Sequence, residues 1–114
     1  MTSTLKAVLL GDAMIPVAGF EQAWNRHLSA FGTDLVLGDW EPDWGQLQYR
    51  RLEVEKVGPE HETVPDQILA DGADGELLAG LFVPISSKVM DAMPKLRIVG
   101  VSRAGVENVN VAEA

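Results

Sequence analysis

Residues 77–101 read LLAGLFVPISSKVMDAMPKLRIVGV, and this stretch decides the fold of the chain. It holds two short apolar runs, residues 77–83 and residues 96–101, with a polar segment between them. Runs of this length are typical of strands that are buried on both faces, as in a parallel sheet. Between the runs, Ser86 can cap a helix over residues 87–93. The stretch therefore predicts strand, helix and strand.

The same alternation extends back to the amino terminus. Residues 5–10 and 33–40 are predicted strands, each closed by turn-forming residues. Between them Pro16 can open a helix, because its missing N–H is no loss at the first helical position. Gly32 supplies the left-handed stop that ends this helix. The apolar side chains of the helix recur at spacings of three and four and form one stripe: Val17, Phe20, Trp24, Leu28 and Phe31.

Three weaker signals complete the pattern. Residues 46–57 are charged and only weakly periodic, and we interpret them as a solvated helix that residues 58–59, Gly-Pro, bring to an end. Residues 65–70 predict one or two helical turns. Near the carboxyl terminus, Asn110 can cap a last helix that begins at Val111.

Strands and helices therefore alternate along the whole chain. Such alternation implies right-handed crossovers and a parallel sheet covered on both faces. We expect an α/β fold, a flavodoxin-like parallel sheet of about four strands with helices on both faces. Because the last helical segment is too short to be stable alone, we expect the domain formed by residues 1–114 to be incomplete at its carboxyl-terminal end.

Composition and charge exclude several classes of protein. Apolar residues make up 46% of the chain and charged residues 23%, which is ordinary for a folded domain. There is no cysteine, so disulfides and thiolate chemistry are excluded. Seventeen acidic against nine basic residues give a net charge of -8, which argues against nucleic acid and anionic membranes as partners. No apolar run approaches the roughly 18 residues of a membrane helix, and we expect a cytoplasmic protein.

Few side chains stand out as candidates for chemistry. His27 lies beside the apolar stripe of the first predicted helix, and His61 lies between two glutamates in a loop. Neither has the converging ligands of a metal site, so we expect no metal. Asp12, at the end of the first strand, is either a site carboxylate or, more often, a turn residue. Asn108 either hydrogen-bonds its local turn or serves a site.

Residues 74–114 carry a specific resemblance. A strand leads through a loop into a serine-led helix, and Pro-Lys-Leu-Arg-Ile-Val-Gly follows at residues 94–100. Arg103-Ala104-Gly105 comes next, and then Glu-Asn-Val-Asn at residues 107–110. This order resembles the amino-terminal domain of the D-isomer-specific 2-hydroxyacid dehydrogenases, the family that includes D-3-phosphoglycerate dehydrogenase. In that family an Arg-x-Gly turn is commonly followed by Asp-Asn-Val-Asp or a near relative.

The resemblance implies that substrate binding and cofactor binding belong to two separate domains. Residues 1–114 would be the amino-terminal portion of a substrate-binding domain, facing a separate Rossmann domain that holds NAD or NADP. The family's catalytic Arg, Glu and His lie in later regions, so we expect this chain to contain no catalytic residue, bind no cofactor and be inactive by itself. The full-length enzyme would act on the CH–OH group of a D-2-hydroxy acid and would form a homodimer.

Two loops would bind the small 2-hydroxy or 2-oxo acid. Ligands of open α/β sheets bind outside the carboxyl ends of the strands, where the predicted third and fourth strands lead into loops. Backbone N–H groups and positive charge in these loops would suit a carboxylate. The substrate-binding residues that the resemblance implies are Val83, Pro84 and Ile85 in one loop and Arg103, Ala104 and Gly105 in the other.

A different class of protein is a second interpretation: a non-catalytic flavodoxin-like module for binding or regulation. A receiver domain fits poorly, because such domains resemble one another in an acidic cluster after the first strand, and here Asp12 stands alone. A fragment that pairs with a dehydrogenase subunit through an unfinished sheet edge is a further alternative.

Overall fold

Strands and helices follow one another through the part of the chain that the structure describes. The computed structural model describes residues 6–28, 30, 34–101 and 108–112. The strands are β1 (Ala7–Asp12), β2 (Leu35–Glu41), β3 (Leu77–Gly80) and β4 (Ile98–Val101). The helices are α1 (Val17–His27), α2 (Trp44–Val57), α3 (Asp66–Asp71) and α4 (Ser87–Ala92). A 3-10 turn, Pro59–His61, lies between α2 and α3.

The four strands form one parallel sheet in the order β2-β1-β3-β4. Ala7 of β1 pairs with Leu35 on one side and with Leu77 on the other, and Leu77 also pairs with Ile98 of β4. The two apolar runs that open and close residues 77–101 are therefore parallel neighbours, as predicted. The α/β fold with a flavodoxin-like parallel sheet is confirmed.

The central strand β1 shows how the sheet is covered on both faces. Ala7 and Leu9 pack with Trp24 of α1 on one face. Val8 and Leu10 point to the other face and join the larger core. Every residue of β1 is buried, as expected for a central strand of a parallel sheet. The side chains that α2, α3 and α4 bury in the larger core are Leu47, Val54, Leu69 and Val89.

Helix α1 begins directly after Pro16, as the sequence predicts. Trp24, in the middle of the apolar stripe, is buried, whereas Leu28 follows the helix and is 39% exposed. Phe31 and Gly32, the predicted end of the stripe and the predicted stop, lie outside the described residues. The helix is thus confirmed for roughly three turns.

Helix α2 confirms the least periodic of the helix predictions and extends it. It begins two residues earlier than residue 46 because Asp43 Oδ2 accepts a hydrogen bond from Gln46 N at 2.8 Å and caps the first turn. Its buried side chains are Leu47 and Val54, so a narrow face holds it to the core. It ends where Gly58 adopts a φ of 113°, which favours glycine.

The two short helices lie where the sequence predicts them. Helix α4 follows Ser86, whose Oγ accepts a hydrogen bond from Val89 N at 3.4 Å. Helix α3 covers the predicted segment 65–70 with a shift of one residue. Among the described residues, no helix is long and apolar enough to span a bilayer.

The third strand is shorter than predicted. The apolar run predicts a strand over residues 77–83, but β3 ends at Gly80. A side chain at Gly80 would lie 2.6 Å from Val83 Cγ1, so the chain doubles back just after the strand. Residues 81–83 are nevertheless buried. Their apolar character therefore reflects burial in a loop and not pairing in the sheet.

The predicted last helix lies mostly outside the described residues, which end at Ala112 in this segment. Val109 forms a parallel bridge with Ile85, and Val111 and Ala112 lie in a turn. Asn110 N donates to Ile85 O at 2.9 Å, so the backbone of this segment pairs with the loop after β3. The segment that leads to Val111 is therefore extended up to Asn110.

Candidate functional site

The carboxyl ends of β1 and β3 mark the place where a ligand would bind to this sheet. The helix after β1, α1, covers one face of the sheet, and the helix after β3, α4, covers the other. Adjacent strands that send their helices to opposite faces leave a gap outside their carboxyl ends, where open α/β sheets bind ligands. We call the region between Asp12 and residues 81–85 the edge crevice.

Asp12 lies at the β1 side of the edge crevice and is buried. Its Oδ1 accepts hydrogen bonds from Met14 N at 2.9 Å and Ile15 N at 3.0 Å, so the turn after β1 is built on this carboxylate. Its Oδ2 is buried and has no hydrogen-bond partner among the described residues. Asp12 is thus a turn residue whose second oxygen is left for another donor.

The start of α1 packs tightly against the same end of β1. Asp39 Oδ1, from β2, accepts a hydrogen bond from Val17 N at 3.0 Å. A side chain at Gly11 would overlap both Val17 N and Asp39 Oδ1. Only glycine therefore allows the helix start, the β2 carboxylate and the end of β1 to meet here.

The predicted site residues Val83, Pro84 and Ile85 lie at the β3 side of the edge crevice, and all three side chains are buried. Their backbone groups are largely engaged. Ile85 N donates to Asn108 O at 2.7 Å, and Ile85 O accepts from Asn110 N. Pro84 has no N–H. The hydrogen bonds of Ile85 to residues 108 and 110 therefore fix this loop, and a ligand would contact only its outer edge.

Arg103, Ala104 and Gly105, the other predicted site residues, lie outside the described residues. The segment that follows them does return to the edge crevice. Residues 108–110 run beside residues 83–85, joined by the bridge between Ile85 and Val109. The chain after β4 therefore reaches the loop after β3.

Asn108 fixes this meeting of segments and is fully buried. Its Nδ2 donates to Val83 O at 2.8 Å and to Leu81 O at 3.4 Å. The amide thus serves a loop 25 residues away in sequence and not its local turn. Its Oδ1 is buried without a partner among the described residues.

Glu60 brings a carboxylate to the same edge, although no local pattern in the sequence indicates it. Its Oε1 accepts hydrogen bonds from Ser87 N at 3.0 Å and Asn110 Nδ2 at 3.1 Å. The Ser87 hydroxyl also donates to Glu60 Oε1. These bonds, first those from the Ser87 hydroxyl and then from the Ser87 N–H, lower the pKa of Glu60 below its ordinary value.

A charged cluster fixes the chain beside Glu60. Arg50 lies 3.0 Å from Glu41 and 2.7 Å from Glu62, and its guanidinium stacks over the Trp40 ring. Burial alone would lower the pKa of Arg50, but the two carboxylates outweigh it and the pKa is raised. Trp40 Nε1 also donates to Thr63 O at 2.9 Å. This cluster is structural, since it joins β2, α2 and the connector to α3.

The histidines give no sign of metal binding. His27 is exposed at the end of α1. His61 belongs to the 3-10 turn. Over the residues that the structure describes, no group of three or more His, Cys, Asp or Glu could hold a metal ion.

A concave surface lies on the face of the sheet that α1 covers, opposite the larger core. It is an apolar groove of about 320 Å³ between α1 and the β3–β4 part of the sheet. Its walls include Phe20, Trp24 and Leu28 from the α1 side, and Leu77 and Gly100 from the strands. We call it the α1 groove. It is a candidate contact surface and carries no polar cluster suited to catalysis.

Comparison of the chain with protein-family models, with curated proteins and with solved structures gives no match.

Proposed function

We propose that this chain is the amino-terminal portion of the substrate-binding domain of a D-2-hydroxyacid dehydrogenase that uses NAD or NADP. The observation that carries the proposal is the meeting of two segments at the carboxyl edge of the sheet. Residues 83–85 and 108–110 lie side by side there, held by Asn108 and by the bridge at Ile85. Both segments belong to residues 74–114, which carry the resemblance to the family.

The chemistry of this edge supports the proposal. Donors from two segments, Ser87 and Asn110, already hold a carboxylate, that of Glu60. A 2-hydroxy acid presents a carboxylate of the same kind, and charge-assisted hydrogen bonds of this type orient it strongly. The role of this domain would be to bind and orient the acid, while hydride and proton transfer occur on the cofactor side of the cleft.

The described residues do not suit the nicotinamide cofactor itself. A dinucleotide pyrophosphate binds to free N–H groups at a helix start, and at α1 the Val17 N–H already donates to Asp39. The carboxylate there would also repel a pyrophosphate. We therefore assign cofactor binding to the Rossmann domain that the resemblance implies.

The test is an assay of the natural polypeptide that contains this domain. Mixed with NADH or NADPH and a panel of 2-oxo acids, it is expected to oxidise the reduced nicotinamide and to form the D-hydroxy acid. Arg103→Ala is expected to raise KM for the oxo acid about tenfold, since a charge-assisted contact is lost. Arg97→Ala, an exposed arginine just before β4, serves as the control. Absence of turnover with every oxo acid would refute the proposal.

The second candidate is a non-catalytic binding or regulatory module. The α1 groove favours it, because an open apolar surface on a parallel sheet is a place for a partner to pack. This candidate predicts complex formation without any nicotinamide oxidation, so the same assay separates the two.

A further inference from the structure

The 3-10 turn Pro59–His61 brings the Glu60 carboxylate within hydrogen-bond distance of two other segments. Ser87 belongs to the start of α4, and Asn110 belongs to the segment after β4. Glu60 is exposed and still accepts bonds from both. We call Pro59–His61 the strap.

The strap is anchored at both ends and fastened in the middle by Glu60. On one side Gly58 N donates to Val54 O at 2.9 Å at the end of α2. On the other side Thr63 O accepts from Trp40 and Arg50, and Val64 is buried. Both anchors belong to the α2 side of the domain. Among the described residues, the hydrogen bonds from the strap to Ser87 and Asn110 all involve the Glu60 carboxylate.

We propose that Glu60 is an internal stand-in for the carboxylate of a small ligand, and that the strap opens when a ligand carboxylate takes its place on Ser87 and Asn110. The donors form one seat from three groups: the Ser87 N–H, the Ser87 hydroxyl and the Asn110 side-chain amide. All three point at one carboxylate. Neither Ser87 nor Asn110 is among the substrate-binding residues that the family resemblance implies.

A second observation at the same edge indicates a ligand. Asn108, two residues before Asn110, has a fully buried Oδ1 with no hydrogen-bond partner among the described residues. Leaving a buried acceptor unpaired is costly, and such groups call for a donor from a ligand or a water. Asn108 Oδ1 is such an acceptor, in the same segment as Asn110.

Near neutral pH, the strap opens because another carboxylate competes with Glu60, and not because Glu60 is protonated. The Ser87 bonds hold the pKa of Glu60 below its ordinary value, so the carboxylate stays charged and the strap stays fastened. Another carboxylate at high local concentration competes for the same donors. The inference rests on the proposed function only for the identity of the natural ligand, because the seat is tested with acetate.

The experiment is a two-dimensional NMR titration of the chain with sodium acetate at constant ionic strength, with sodium chloride as the reference. In Glu60→Ala the Ser87 backbone amide and the Asn110 side-chain amide are expected to shift and saturate. The acetate Kd is expected to be at least about tenfold lower than in the unmodified chain, since an intramolecular competitor is removed. Asp91→Ala, which removes an exposed carboxylate from α4, matches the charge change and is expected to leave Kd unchanged.

Two further variants keep the result decisive. Glu60→Ala/Ser87→Ala is expected to lose the gain in affinity, because one donor is gone. Glu60→Gln, which preserves the shape of the strap, replaces Glu60→Ala if the alanine variant does not fold, and is expected to bind acetate at least about threefold more tightly than the unmodified chain. Equal acetate affinity in all chains, or shifts elsewhere, would overturn the inference. Acetate binding without any dehydrogenase activity would uphold the seat and refute only the proposed function.

Discussion

At the scale of single residues, one buried amide joins the two segments of the edge crevice. Among the described residues, Asn108 supplies the hydrogen bonds to Leu81 O and Val83 O. Asn108→Ala is expected to cost about 1–3 kcal/mol in the free energy of unfolding, because buried carbonyls are left unpaired. Urea denaturation followed by circular dichroism measures it.

The control for this prediction is Asn25→Ala, at an exposed position on α1. It is expected to change stability by less than about 0.5 kcal/mol. If the two variants proved equally stable, Asn108 would not be holding the loop after β3.

Two glycines near the start of α1 make a matched pair. Gly11→Ala forces a methyl group against Val17 N and is expected to destabilise the fold by about 1–3 kcal/mol. Gly19→Ala meets only Ile15 Cγ2 at 3.5 Å, within helix α1. It is expected to stabilise the chain by about 0.5 kcal/mol, because the unfolded chain loses freedom. Thermal unfolding of both variants should therefore shift in opposite directions; shifts of the same sign would contradict this packing.

At the scale of elements, β4 has one covered face and one open face. Val99 packs toward the larger core, whereas its neighbour Ile98 is 50% exposed. Val99→Thr is expected to cost about 1 kcal/mol or more, because a hydroxyl is buried. Ile98→Thr is expected to cost less than about 0.5 kcal/mol. Urea midpoints of the two variants give the comparison, and the reverse order would mean that β4 is registered one residue differently.

The link between the strap and α4 predicts a pH dependence of stability. Because the pKa of Glu60 is lower in the folded chain, the unfolded chain takes up this proton first as pH falls. The stabilising contribution is present above the unfolded pKa and is lost as pH falls through the folded pKa. The unfolding midpoint of the unmodified chain is therefore expected to approach that of Glu60→Gln as the pH falls below the ordinary pKa of a glutamate, about 4.3.

The comparison uses urea unfolding at several pH values, and it cancels the other carboxylates because both chains share them. Asp91→Asn is the control, since the structure shows no donor to this exposed side chain among the described residues. A gap between the unmodified chain and Glu60→Gln that stays constant with pH would contradict the bonds drawn from Ser87.

At the scale of the whole molecule, stability is expected to be highest at the centre of the sheet. β1 is hydrogen-bonded on both edges and buried on both faces, whereas β2 and β4 each have a free edge among the described elements. Amide hydrogen exchange is expected to be slowest in β1 and faster in β2 and β4. Exchange in β4 as slow as in β1 would indicate that a further strand or a partner covers that edge.

The sequence predicted the elements better than the contacts between them. Apolar runs and glycine or proline stops located the strands, because burial and turn chemistry are local properties. The end of β3 could not be predicted, since Leu81 and Phe82 are as apolar as the strand before them and differ only in what they pack against. The hydrogen bonds from Ser87 to Glu60 join residues that are 27 apart in sequence, and no local pattern encodes that pairing.

The α1 groove has a consequence for how copies of this molecule behave toward one another. An apolar hollow of about 320 Å³ attracts any neighbouring apolar surface, while a charge of -8 on every copy repels it. Concentrated salt shortens that repulsion to roughly 3 Å at 1 M but leaves the hydrophobic attraction in place. If the α1 groove is uncovered, the solution is expected to become turbid in strong salt while the circular dichroism spectrum stays unchanged.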